Sequence, residues 1–170
     1  MASWSPRCTV TDHHDTSHAP VLVIGVGSPL RTDDAVGRVV ADRLGELDLP
    51  GVETQAVHQL APELAAGWFG RRLVILVDAD VEVTAPLLRT VARPTGSGAM
   101  SHHVDPASLL GLASLLGNPP DTLEVLSLPV ADLTLGTELS EAAETVAERA
   151  VALLRERCAA VVGDPGGAPA

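Results

Sequence analysis

The sequence predicts an α/β domain of three layers, a mainly parallel sheet of about five strands with helices on both faces. Two observations carry this expectation. Short aliphatic runs of strand length alternate with stretches of helical spacing from Val21 to Arg157. The chain is also 46% hydrophobic yet holds no Tyr, two Trp and one Phe. Its core must therefore be built from Val, Leu, Ile and Ala, and near-continuous aliphatic runs suit strands covered on both faces. A length of 170 residues without internal repeats fits one domain, expected over residues 21–159.

The elements follow in order. Residues 1–20 read as a flexible polar lead, in which His13, His14 and His18 stand among Ser, Thr, Asp and Pro as solvated side chains. An aliphatic run at 21–26, ended by glycine, reads as a buried strand. Over 34–46, Val36, Val39, Val40 and Leu44 recur at helical spacing, with Asp33 or Asp34 as the expected N-cap. A weaker strand at 52–57 precedes a short helix at 61–69 with Pro62 in its first turn. The strongest strand signal is 73–77, and 85–92 reads as an edge strand after Pro86. Asp105-Pro106 opens a helix to about Leu116, and 123–128 is the last strand. Ser140 caps a long helix to Arg157, and residues 160–170, rich in Gly and Pro, read as a flexible tail.

Charge and composition narrow the function. The net charge is −11 and all eleven cations are Arg, so nucleic acid is excluded as a partner for want of clustered cations. No apolar run approaches the roughly 20 residues of a membrane helix, and no basic start with an apolar run marks a signal peptide. A cytoplasmic, monomeric protein is expected. Cys8 and Cys158 lie near opposite chain ends, too isolated for a disulfide framework, a zinc knuckle or a thiol nucleophile.

Three segments carry the chemistry. They are Gly25-Val26-Gly27-Ser28-Pro29-Leu30-Arg31-Thr32-Asp33-Asp34, then Leu73-Val74-Ile75-Leu76-Val77-Asp78-Ala79-Asp80, then Ser101-His102-His103. Each places carboxylates or imidazoles next to a strand end or in a long connection, where loops of an open parallel sheet converge on the ligand crevice. Gly25-x-Gly27 is not a phosphate cradle. Leu30 stands where a third glycine is required, and two aspartates precede the helix and would repel phosphate. A carboxylate at Asp78, next to an apolar interior, is costly unless paired, hydrogen-bonded or metal-bound, whereas Asp80 is expected to face solvent. Two carboxylates and an imidazole make a plausible site for a borderline divalent metal such as nickel or zinc, with positions left open for substrate.

The stretch Val23-Ile24-Gly25-Val26-Gly27-Ser28-Pro29-Leu30-Arg31-Thr32-Asp33-Asp34-Ala35-Val36-Gly37 resembles the opening motif of nickel–iron hydrogenase maturation endopeptidases. That motif is a strand, then Gly-x-Gly-Asn/Ser-x-Leu-x-x-Asp-Asp/Glu-x-x-Gly. Residues 74–79 resemble the family's central strand ending in Asp-Ala, and Ser101-His102-His103 resembles its histidine loop. Leu123 to Leu128, followed by Gly136-Thr137-Glu138-Leu139-Ser140, is similar to its last strand and helix entry.

The resemblance, spanning about 21–157, implies metal engagement by Asp34, Asp78 and His103, with His102 as the alternative histidine. It implies that Asp34 and Asp78 are also the catalytic groups. The metal would be nickel already placed in the precursor of a hydrogenase large subunit, whose C-terminal extension the peptidase removes. One departure is the loop Val57-His58-Gln59-Leu60-Ala61-Pro62-Glu63-Leu64, where many members carry a Gly-Gly-Thr-like segment. His58 in that loop is a candidate neighbour of the site.

Other readings compete. Ser28 has no base partner evident in sequence, which disfavours serine-type hydrolysis. A phospho-acceptor domain would also place an acidic pair and an aspartate after strands, but it needs a lysine and this chain has none. A chaperone-like relative that binds the nickel-loaded precursor without cutting it would use the same residues. A metal-dependent hydrolase of small amides is a further alternative.

Overall fold

Five strands form one sheet in the computed structural model, which describes residues 18–93 and 104–163. They are β1 (Val21–Val26), β2 (Val52–Val57), β3 (Leu73–Asp80), β4 (Leu87–Thr90) and β5 (Thr122–Pro129), in the spatial order β2-β1-β3-β5-β4. The four longer strands run parallel, and β4 closes one edge antiparallel to β5. Three α-helices accompany them, α1 (Val36–Glu46), α2 (Pro106–Leu116) and α3 (Glu141–Val162). The expected α/β class, with a mainly parallel five-stranded sheet, is what the structure shows.

Alternation along β1 and β3 explains why both strands are aliphatic throughout. Val21, Val23, Leu73, Ile75 and Val77 pack with Val36, Val40 and Leu44 of α1 and with Ala147, Ala150 and Leu154 of α3. Their neighbours Leu22, Ile24, Val74 and Leu76 face the other way, against Ala65, Trp68, Leu109, Leu110 and Ala113. Each fully buried Leu, Ile or Val adds about 1.5–3 kcal/mol, so two aliphatic cores suffice where aromatic residues are scarce. The edge strand β4 is largely exposed, as expected of a strand that follows proline.

Three expectations are corrected. Neither Asp33 nor Asp34 caps α1: a 3-10 helix, Thr32–Ala35, intervenes, and neither it nor α1 has a side-chain cap. The short helix after β2 is also 3-10, Pro62–Trp68. The closing helix passes Arg157 and continues through 160–162, residues assigned by sequence to the tail, because Val161 and Val162 pack on the first core. By contrast, Ser140 accepts from Ala143 N at 3.2 Å, so the expected cap of α3 forms, and α2 opens at Asp105-Pro106 as expected, with Asp105 accepting from Ser108 N at 2.7 Å as its cap.

The strand order fixes where a site can form. From β1 the chain passes through α1 to β2 on one side, then crosses back to enter β3 on the other side of β1. The connections leaving β1 and β3 therefore diverge at the carboxyl ends of these strands. In open parallel sheets such a reversal opens the ligand crevice.

Candidate functional site

Close packing of glycines builds the first wall of this crevice. A Cβ on Gly37 would collide with the carbonyl oxygens of Val77 and Val26, so α1 approaches the ends of β1 and β3 more closely than any other residue permits. Gly27 has φ +145°, and a side chain there would strike the Asp34 carbonyl. The loop leaving β1 is thereby folded tightly back over the strand ends, and it carries two aspartates with different tasks.

Asp33 turns inward and is 1% exposed. Its carboxylate accepts from Ser140 N at 2.8 Å, Ser140 Oγ at 2.9 Å and Asp132 N at 3.3 Å. Thr32 Oγ1 donates to the Asp132 carbonyl at 2.7 Å. Together these bonds lock the first loop to the β5–α3 connection. Sequence reading missed this role because Ser140 lies 107 residues away and nothing local announces it.

Asp34 accepts one hydrogen bond from Ser28 N at 2.9 Å and faces a cleft of about 440 Å³. Asp78, on β3 two residues before its end, lines the same cleft, with Val26, Gly27, His58, Gln59, Leu60 and Val104. The structure thus brings Asp34 and Asp78 together, and it places His58 beside them. His103 and its alternative His102 lie outside the described residues, as do His13 and His14. His18 lies on the described approach to β1 and does not line the cleft. Asp80 is half-buried rather than open to solvent, since β3 runs through it, and it accepts from Glu82 N at 2.9 Å.

The electrostatics of the pair are distinctive. Partial burial pushes the Asp78 carboxyl from its ordinary 3.8 up to about 6; a hydrogen bond from Ala79 N opposes this, and the charges of Asp34 and Asp80 add to it. Among the described residues no cation is paired with them: the ion pairs there are Arg43–Glu144, Arg71–Glu53 and Arg157–Glu124, all away from the cleft. Two carboxylates held together without a counter-charge can share a proton, accept a cation, or take a proton from water near neutral pH. Among the described residues, however, no three His, Cys, Asp or Glu side chains are grouped closely enough to hold a metal ion by themselves. Cys158, on the buried face of α3, has its thiol raised to about 11 by burial and does not line the cleft.

Searches by sequence match no family model and no curated protein. Solved structures do match. A hydrogenase 2 maturation peptidase from a Thaumarchaeota archaeon is 27% identical with a TM-score of 0.57, covering 81% of this chain and 96% of that one. The hydrogenase maturating endopeptidase HybD from E. coli is 24% identical with a TM-score of 0.60, covering 81% and 93%. A [NiFe] hydrogenase maturation protease from Thermococcus kodakarensis is 23% identical with a TM-score of 0.61, covering 84% and 96%. Among its solved structural neighbours, this chain thus shares its fold with hydrogenase maturation endopeptidases, the family its sequence motifs resemble.

Proposed function

We propose that this protein is an endopeptidase that removes the C-terminal extension of a nickel-loaded precursor of a nickel–iron hydrogenase large subunit. The observation that carries the reading is the convergence of Asp34 and Asp78 on one cleft at the β1–β3 reversal, with no ion pair to either among the described residues. Nickel belongs to the substrate in this reading. The two carboxylates, with His103, recognise it and hold the adjoining peptide bond in the cleft.

The chemistry then rests on few groups. Asp78, held near pH 6 by its surroundings, is matched to accepting a proton from the attacking water at neutral pH, because a general base works best with a pKa near the operating pH. The Asp34 carboxylate, fixed by Ser28 N, stays oriented towards the cleft. Solved neighbours named as maturation endopeptidases and proteases support the reading. The −11 charge fits a monomer that stays dispersed, and a cytoplasmic site of action belongs to the same proposal.

Intact-mass measurement of a large-subunit precursor, loaded with nickel or lacking it, tests the proposal. The expected result is loss of a C-terminal peptide from the nickel-loaded form only. Binding of the precursor with its mass unchanged would instead mark a chaperone-like binder.

A further inference from the structure

The two carboxylates of the cleft leave one need of peptide hydrolysis unmet. As hydroxide adds to the scissile carbonyl carbon, the π pair moves onto the oxygen, and that negative charge grows beside Asp34 and Asp78. An ionised carboxylate only accepts hydrogen bonds, so it cannot hold an oxyanion. Nearby amides are already committed. Gly27 N donates to the Val57 carbonyl at 3.1 Å, Ser28 N to Asp34 at 2.9 Å and Ala79 N to Asp78 at 3.0 Å. Of the side chains that line the cleft, those with an N–H to give are His58 and Gln59.

The end of β2 delivers both to the site. Val57 lies beside Val26 in parallel register, and the bond from Gly27 N ties its carbonyl to the loop after β1. Leu60 then packs on the second core, and Leu64 N donates to the Ala61 carbonyl at 3.0 Å as the next 3-10 helix begins. Residues 58 and 59 thus span a short gap between two fixed points. Continued as a strand, they would face opposite sides of the sheet. The chain bends there instead, and both line the same cleft. Both side chains are exposed, so neither is spent on the core. An imidazole carries an N–H in either protonation state, and a carboxamide carries two.

We infer that His58 and Gln59 donate hydrogen bonds to the carbonyl oxygen of the bond being cut and stabilise the negative charge that develops on it. This role rests on the proposed function and supplies what the carboxylates cannot. In the full step, Asp78 takes a proton from water and the resulting hydroxide bonds to the carbonyl carbon. The charge on oxygen then rests on the two N–H groups. When the intermediate collapses, the C–N bond breaks and Asp78 returns its proton to the leaving nitrogen. No proton leaves His58 or Gln59.

The test sets the full chain against nickel-loaded precursor, with His58→Ala, Gln59→Ala, the double Ala form and His58→Gln. Because both side chains are exposed, every variant is expected to melt within about 2 °C of the parent. Each single Ala form should lose about tenfold or more in kcat, and the double form about 10²–10³-fold, the scale of loss when oxyanion donors are removed. KM should change less than about twofold, because the interaction is made only in the transition state. His58→Gln keeps an N–H and should recover most of what His58→Ala loses. A double form that cuts at the parent rate, as when the substrate's nickel alone polarises the carbonyl, would overturn the role. A loss confined to KM, or a Gln form as slow as the Ala form, would overturn it too. A parent chain that leaves the precursor uncut would instead remove the proposed function and this role with it, so the two failures are distinguishable.

Discussion

Replacing Asp78 by Asn should make the protein more stable while removing its activity. Folding raises this carboxyl from 3.8 to about 6. Between these values the native chain keeps a proton that the unfolded chain has released. Its contribution to stability is therefore fully present below pH 3.8 and lost as the pH rises through about 6. At 1.36 kcal/mol per tenfold change in acidity, the ionised native Asp78 costs about 2–3 kcal/mol at pH 7.5, with allowance for its partial exposure. Asparagine carries no charge, and its Oδ1 can still accept from Ala79 N, the bond that Asp78 makes at 3.0 Å.

For a chain of this size, that difference corresponds to a rise in melting temperature of about 4–10 °C. Thermal unfolding of both forms from pH 4 to 8, after treatment with a chelator, reads it directly. The gap between Asn and Asp forms should be about a fifth of its full size at pH 4, half open near about pH 5 and complete by about pH 7. A gap independent of pH, or an Asn form less stable at pH 7.5, would refute the electrostatic account of the pair.

Three further outcomes follow from the packing. Asp33→Ala strands Ser140 N, Ser140 Oγ and Asp132 N and should cost about 3–5 kcal/mol in chemical denaturation, at roughly 1–3 kcal/mol per unmet buried partner with partial relief by water. Gly37→Ala drives a methyl group into the Val77 and Val26 carbonyls. It should lower stability by about 3 kcal/mol or more and weaken precursor cleavage, because α1 must lift from the strand ends that hold Asp78. Native Cys158, buried with its thiol raised to about 11, should resist iodoacetamide at pH 7.5 for hours and react within minutes in denaturant, as peptide mapping would show.

What the sequence disclosed and what it hid divide along physical lines. The buried strands β1 and β3 were legible because a strand covered on both faces must be aliphatic at every position, and both are. Ser140 was legible as a cap, and Asp105-Pro106 as a helix opening, because a cap bonds an amide three residues ahead, within the reach of a local pattern. Asp33 was misread as a cap for the complementary reason: its partners Asp132 and Ser140 lie about a hundred residues away. The end of α3 was set too early because Val161 and Val162 pack on a core assembled from other parts of the chain.

The site shows the same division. Asp34 and Asp78 could be paired from their positions after two strands, since parallel topology brings such ends together. The place of His58 on the cleft wall needed the register of β1 against β2, in which Val26 lies beside Val57. Gly37 looked like one glycine of a motif, and only the closeness of α1 to the Val77 carbonyl shows why no other residue fits.

The central claim is that Asp34 and Asp78 act together in cutting a nickel-bearing precursor. Its most direct test is the single-turnover cleavage rate of that precursor by the parent chain, Asp34→Ala and Asp78→Asn. Each substitution should slow cleavage by about 10²–10⁴-fold, and the double variant should be little slower than the worse single one, because groups that act as a unit do not add. Parent-like cleavage by either single variant would contradict the account.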